Sequence, residues 1–396
     1  MNSGALAGVR VVDFSRFQQG PYATRLLADL GADIVKIERP GGDWDREHRA
    51  TADGFSGFFY GLNCGKKSVA VDIQSAAGRE VVRRLVRDAD VVVENFRPGV
   101  MDRLGLGYQA LSALNSSLIY AAASGWGPAG PNSAEPMYDM VGQAVAGVSD
   151  FNRSPDGQPR LATRGYADAG GGVFLAMGIV TALYARAQTG QGQRVDASLV
   201  GACIGLHTQE ITVSLNQGEI SRPQGRVTPA SGAFRCRDDE WLVIAATDQK
   251  LWEPLCRALE RPDLAADARF ATRVLRLQAR DVLEPQLEEA FRQRDRDAWL
   301  PIMKAHGIPV GPVRTFLELA HDEDARSNGY ITEIQDPVWG SRLTAGPPFH
   351  LSRTPATVAG RAPDLGESTD DELSRAGYSA AEIEVLVAAG VVQRPA

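Results

Sequence analysis

Short aliphatic runs separated by helical patterns fill the first third of the chain, and no other feature restricts its fold as strongly. Val9–Phe14, Asp33–Ile37, Ser68–Asp72, Asp90–Glu94 and Leu118–Ala123 each read as a strand. Tyr22–Leu30 reads as a helix closed by Gly31. Ser75 is a candidate N-cap for an amphipathic helix running to Asp88, with Val81, Val82, Leu85 and Val86 on one face. Strands this uniformly apolar are buried on both faces, as in parallel sheets covered by helices. The expected fold class is therefore α/β with a parallel sheet. Ligands of such sheets bind in loops at the carboxyl ends of the strands. Gln18–Gly20, Arg39–Asp43 and Asn95–Gly99 lie in such loops.

At 396 residues the chain exceeds one ordinary domain. The pattern changes near residue 220. Ser221–Arg226 reads as a connector into Ala233–Ala245, a hairpin with a polar turn at Arg237–Glu240, followed by helical segments as far as His306. Gly307–Val313 reads as a connector leading back. This predicts a large domain from residues 1–205 and 326–396, linkers at 206–225 and 307–325, and an inserted α+β domain at 226–306. Ser379–Glu382 matches a capping box opening a last helix, Ala380–Ala389.

The formal net charge of −7 argues against nucleic acid as a partner, because neutralising a phosphate backbone needs a basic surface. Cys64, Cys203, Cys236 and Cys256 form no C-x-x-C pair, so neither disulfides nor zinc are expected and a reducing, cytoplasmic location fits. The first residues lack a basic segment followed by a long apolar one, so no secretory signal is expected. The uncharged stretch Ala169–Ala185 is rich in Gly and Ala and reads as a buried core helix, with no membrane expected. Histidines at 48, 207, 306, 321 and 350 show no metal spacing. Gly61–Ser68 fails as a P-loop: one residue is missing between its glycines and a strand, not a helix, follows. Gly105-Leu-Gly107 lacks a third glycine, and Ser124 lacks the first glycine of a nucleophile elbow.

Asp168 stands in Arg164-Gly-Tyr-Ala-Asp-Ala-Gly-Gly-Gly172, just ahead of an apolar helical stretch beginning at Val173. A carboxylate there meets free backbone N–H groups and the positive end of the helix dipole. The glycines remove side chains, so a bulky group could approach it closely. Locally, two readings stay open: an N-cap, or a carboxylate held for nucleophilic attack.

Several longer strings bear on that choice. Gly20-Pro-Tyr-Ala-Thr-Arg-Leu-Leu-Ala-Asp-Leu-Gly-Ala-Asp-Ile-Val-Lys-Ile-Glu-Arg-Pro-Gly-Gly-Asp43 is one; Leu62-Asn-x-x-Lys-Lys-Ser68 and Asp90–Val100 are others. Arg186–Asp196, Gly307–Val313 and Asp364–Glu367 complete the set. Together and in this order they resemble the class III coenzyme A transferases, the family of formyl-CoA and carnitine-CoA transferases that also contains α-methylacyl-CoA racemases.

The resemblance implies a Rossmann-like large domain, a small inserted domain and an interlocked homodimer. It implies coenzyme A and its acyl esters as substrate, with a carboxylic acid as the second small molecule and no prosthetic group. Asp168 aligns with the family's catalytic carboxylate. Gln18 then lies beside the thiol-bearing arm, and Arg39, Lys66, Arg97 and Arg103 contact the nucleotide portion with Asn95 and Phe96 close by. Tyr138, Asp139, Gly170 and Gly171 fall in the acyl pocket. The implied activity moves coenzyme A from an acyl-CoA to a carboxylic acid through aspartyl anhydride and aspartyl-CoA thioester intermediates, with oxyanions held by backbone N–H groups of Ala169 and the glycines.

Two departures qualify this. Gly225–Gly232 lacks the glycine run that formyl-CoA transferases carry near the start of the small domain, which puts formyl-CoA and oxalate in doubt. Racemases carry a His where Asp139 stands, which favours transfer over racemization. A racemase, or a CoA-binding protein without catalysis, is the alternative.

Overall fold

The computed structural model describes residues 4–218 and 225–395. The chain divides into two compact units, one of Met1–Ser154, Gln158–Ile220 and Glu323–Ala396, the other of Pro155–Gly157 and Ser221–Asp322.

The first unit opens with β1 (Arg10–Asp13), α1 (Gln19–Asp29), β2 (Asp33–Glu38), α2 (Gly57–Asn63), β3 (Lys67–Val71) and α3 (Ala76–Arg87). It continues with β4 (Val91–Glu94), α4 (Val100–Arg103), α5 (Tyr108–Leu114), β5 (Ile119–Ser124), α6 (Asp139–Val145) and α7 (Val148–Phe151). Helix α8 (Tyr166–Thr189), β6 (Arg194–Ser198), α9 (Leu199–Leu206) and α10 (Thr208–Gln217) follow. The strands stand in the order β3-β2-β1-β4-β5-β6, all parallel, and the short strand Val392–Gln393 adds antiparallel to β3. The chain runs outward from β1 to β3, then returns to lay β4 on the other side of β1. That reversal opens a crevice between the carboxyl ends of β1 and β4.

Alternate strand residues feed two cores. Val12, Val35, Val69, Val92 and Tyr120 pack with α3 residues Val81, Val82, Leu85 and Val86. Val11, Ile34, Val91, Val93 and Ile119 pack with Leu27 of α1 and with Leu175 and Ile179 of α8. Each large aliphatic side chain buried this way contributes roughly 1.5–3 kcal/mol before entropy is counted. Among the described residues, α8 is long and apolar enough to cross a membrane by length and composition, with half of its most apolar window buried inside the fold.

Local signals set the element ends. Ser75 accepts the Gly78 N–H at the start of α3, and the capping box of Ser379 and Glu382 opens the helix Ala380–Ala388. Helix α1 begins at Gln19, earlier than the apolar pattern indicates, because Pro21 sits in the first turn where its missing N–H costs nothing.

In the second unit, Ser231–Arg235 and Trp241–Ala245 form the expected hairpin. Val310–Pro312 pairs with Trp241–Ala245 as a third strand, so Gly307–Val313 is not a plain connector. The two prolines do not prevent this pairing: the Pro309 carbonyl accepts the Ala245 N–H and the Val313 N–H donates to the Trp241 carbonyl on either side of the Val243–Gly311 pair. The expected linker 206–225 is likewise helical over Thr208–Gln217, and most of Ser221–Arg226 lies outside the described residues.

Candidate active site

Asp168 is the third residue of α8, not its cap. The helix starts at Tyr166, and Gly165 takes the N-cap position in a left-handed conformation that a glycine adopts without strain. The capping carboxylate comes from α6. Asp139 accepts the N–H groups of Gly165 (3.0 Å), Ala167 (2.7 Å) and Asp168 (3.2 Å), which would otherwise lack partners. Gln143, one turn further along α6, donates to Asp139 (2.8 Å) and to the Thr163 carbonyl (2.7 Å) and accepts from the Ala162 N–H (2.9 Å).

Asp168 is thereby released from capping. It is half-buried, and among the described residues no hydrogen bond or ion pair ends on its carboxylate. Burial, and then the like charge of Asp139, push its pKa from 3.8 up to about 7. A carboxylate without a cationic partner, poised near neutrality, is a reactive arrangement rather than a stabilising one.

The glycines after Asp168 do not open space for a ligand. Gly170 and Gly171 are buried, and an added Cβ would come within 2.7 Å of Leu206 and 2.6 Å of Gln19 respectively. At Gly172 it would meet the Gln19 carbonyl oxygen at 2.7 Å. They let α9 and α1 approach α8, and their expected place in an acyl pocket is corrected accordingly. The expected oxyanion donors need the same correction, because the Ala169 N–H is bound to the Gly165 carbonyl within the helix (2.8 Å).

Gln18 precedes α1, and its amide nitrogen lies 3.4 Å from the Gly165 carbonyl, placing the β1–α1 turn against the start of α8. That turn is strained: Phe17 has φ 63°, held by its N–H bond to the buried Asp45 carboxylate (2.7 Å). Tyr138 is exposed and meets Phe17 edge-on, with ring centroids 6.0 Å apart.

The remaining expected residues separate by what they face. Arg97 and Arg103 follow β4, are exposed, and make no side-chain ion pair or hydrogen bond among the described residues. Arg39 follows β2 and is exposed, with Nε on the Gly42 carbonyl (2.7 Å). With Gln18 after β1, these three lie along the carboxyl edge of adjacent strands. Asn95 instead pairs with the backbone of Arg16 in both directions, 2.9 and 2.7 Å, joining the β4 loop to the β1 loop. Phe96 lies under the Arg16 guanidinium, 5.2 Å from it. Lys66 precedes β3 and points inward. Its fully buried ammonium binds Asp13, the Pro21 carbonyl and Asn63 at 3.2, 3.0 and 2.9 Å, leaving no donor for a phosphate. Burial, opposed by Asp13, draws its pKa down to about 8. The expectation of a nucleotide contact at Lys66 is corrected by that geometry.

Two site groups escape sequence reading. Gln143 carries no motif, and its partners at 162–163 are distant in sequence. Glu94 borders a cavity of about 190 Å³ with Tyr120, Arg194 and Arg97, and burial lifts its pKa to about 7. Its place at the carboxyl end of β4 was the available signal.

Comparison with known proteins follows the same lines. The family model for CoA-transferase family III matches residues 6–369. The chain belongs to CoA-transferase family III. A formyl-CoA:oxalate CoA-transferase of Rhodopseudomonas palustris is 32% identical, with 99% of this chain and 98% of that protein covered. A succinyl-CoA:mesaconate CoA-transferase of Haloarcula hispanica is 34% identical, covering 94% of this chain and 97% of that protein. A CaiB/BaiF family protein from Brucella suis superposes with TM-score 0.86 at 31% identity, over 94% of this chain and 99% of that one. These family III relatives act on different acids, so family membership leaves the acids of this chain open.

Proposed function

We propose that this protein transfers coenzyme A from an acyl-CoA to a carboxylic acid, with Asp168 as nucleophile. The observation that carries this reading is the release of Asp168 from capping by Asp139, which leaves a half-buried carboxylate with a pKa of about 7 at the α8 terminus. Asp168 attacks the thioester carbonyl, the C–S bond breaks, and CoA leaves as thiolate from a mixed anhydride. The thiolate attacks the aspartyl carbonyl, releasing the donor carboxylate and leaving an aspartyl-CoA thioester. The acceptor carboxylate attacks that thioester and expels CoA again. The thiolate then takes the acceptor acyl group and restores Asp168. Arg39, Arg97 and Arg103 bind the CoA phosphates, and Gln18 lies along the thiol-bearing arm. Tyr138 borders the acyl group.

Racemization needs a second acid–base group. Asp139 is a poor candidate, because its oxygens accept three backbone N–H groups and the Gln143 amide. We further read the protein as a cytoplasmic homodimer with residues 226–306, which fall within the second compact unit, as its inserted small domain. The four buried free thiols support the location. The exposed apolar strip Val173, Met177, Val180 and Tyr184 of α8 supports the dimer.

Incubation with a panel of acyl-CoAs and carboxylic acids, followed by mass spectrometry, tests the reaction. The expected result is new thioesters, together with a CoA-sized, hydroxylamine-sensitive adduct on the Asp168 peptide that Asp168→Asn abolishes. Absence of both across the panel sinks the reading. In deuterated water, rapid α-proton exchange of a 2-methylacyl-CoA without transfer makes the protein a racemase instead.

A further inference from the structure

We propose that Gln143 is a positioning residue of this reaction, coupling α6 to the approach segment of α8 so that the backbone carrying Asp168 is held in one position. The inference rests on Asp168 being the reacting group.

Gln143 is fully buried at 0% exposure, and its amide is engaged on both sides. The nitrogen bridges the Asp139 carboxylate and the Thr163 carbonyl, and the oxygen receives the Ala162 N–H. Ala162, Thr163 and Arg164 are themselves exposed, and the Ala162 and Thr163 backbone is fixed by this side chain. Three residues later Asp139, oriented by the same amide, takes the Gly165, Ala167 and Asp168 N–H groups. One side chain thus sets both the path of the chain into α8 and the carboxylate that closes the first turn. Only an amide does this: the site needs a donor toward two oxygens and an acceptor toward one N–H. A glutamate would place a third carboxylate beside Asp139 and Asp168. A leucine would remove the partner of the Ala162 N–H and of the Thr163 carbonyl and leave Asp139 without its side-chain donor.

Position matters because the carboxylate must reach a thioester carbonyl at attack distance, and an error of about 1 Å there costs ~100-fold in rate. Among the described residues, the hydrogen bonds of Gln143 go to Asp139, Ala162 and Thr163 and none goes to the loops after β1, β2 and β4, where the proposed reading puts CoA. A loss of positioning therefore falls on kcat and leaves the KM for acyl-CoA in place.

The test uses the full-length protein with Gln143→Leu and the isosteric Gln143→Glu. Turnover is measured with the best acyl-CoA and acid pair. Labelling of the Asp168 peptide by a water-soluble carbodiimide, which reacts with protonated carboxyls, is followed against pH by mass spectrometry. The charged group acting on Asp168 is Asp139 from α6, and Cys203 of α9 is in turn influenced by Asp139. Gln143→Leu is expected to lower kcat by ~10- to 100-fold with KM for acyl-CoA within twofold. Gln143→Glu is expected to move the labelling midpoint of Asp168 to higher pH, since the added charge opposes ionisation. Kinetics within twofold of wild type in a folded Gln143→Leu, or an unmoved midpoint in Gln143→Glu, overturns the proposal. The labelling arm does not depend on turnover, so it reports on the clamp even where the wild type transfers nothing and the functional reading fails.

Discussion

Asp139 and Asp168 divide between them two tasks that one carboxylate at a helix start performs together. The cap, Asp139, is electrostatically satisfied by N–H groups; Asp168, the proposed nucleophile, is left without them on its carboxylate and in part out of water. This arrangement has a thermodynamic signature. A group whose folded pKa lies above its unfolded value binds a proton more tightly in the folded protein. Stability therefore falls as pH rises from about 4 to about 7, where Asp168 must ionise against burial and Asp139. Each pK unit corresponds to about 1.4 kcal/mol, so the cost at pH 8 reaches at most a few kcal/mol for this half-buried group. Asp168→Asn, which cannot ionise, is expected to be more stable than wild type at pH 8 and equal to it near pH 4, while transfer falls by several orders of magnitude. Denaturant titrations at the two pH values check the first part. An Asn variant less stable at pH 8 means that the carboxylate is stabilised by something absent from this account.

Helix α8 shows how packing reverses a propensity. A glycine inside a helix costs about 1 kcal/mol against alanine when it is exposed. At Gly172, however, the Cβ of alanine would stand 2.7 Å from the Gln19 carbonyl and 3.0 Å from the Tyr22 ring. Backbone cannot swing aside as a side-chain tip can, so α1 and α8 must separate. Gly172→Ala is expected to destabilise by ~1–3 kcal/mol, readable as a lowered denaturation midpoint. Unchanged or raised stability would show that the two helices have room to move. The glycine run read in sequence as space for substrate is thus space for neighbouring helices.

The doubly wound sheet places the loops after β1, β2 and β4 side by side, and α8 brings Asp168 to the β1–α1 turn through the Gln18–Gly165 contact. The outward strip of α8 belongs to a larger assembly on our reading: Met177 is 59% and Tyr184 70% exposed. Sedimentation is expected to show a dimer that persists on dilution, with Met177→Glu producing monomer or insoluble protein. Wild-type protein that sediments as a monomer at all concentrations removes the dimer from this account.

By itself the sequence determined the parallel α/β architecture, because strands buried on both faces must be apolar throughout and the first third of the chain is written that way. Asp168 stood out in it as a carboxylate at the start of an apolar helix, whereas Gln18, Arg39, Arg97 and Arg103 were named as candidates through the family resemblance of the motifs around them. Only the tertiary structure decided the roles of Asp139, Gln143, Lys66 and Asn95. Each acts on backbone or side chains 20 or more residues away in the chain. Whether a lysine faces a ligand or a buried aspartate, or a carboxylate attacks or caps, depends on which elements fold against it, and local sequence carries no record of that.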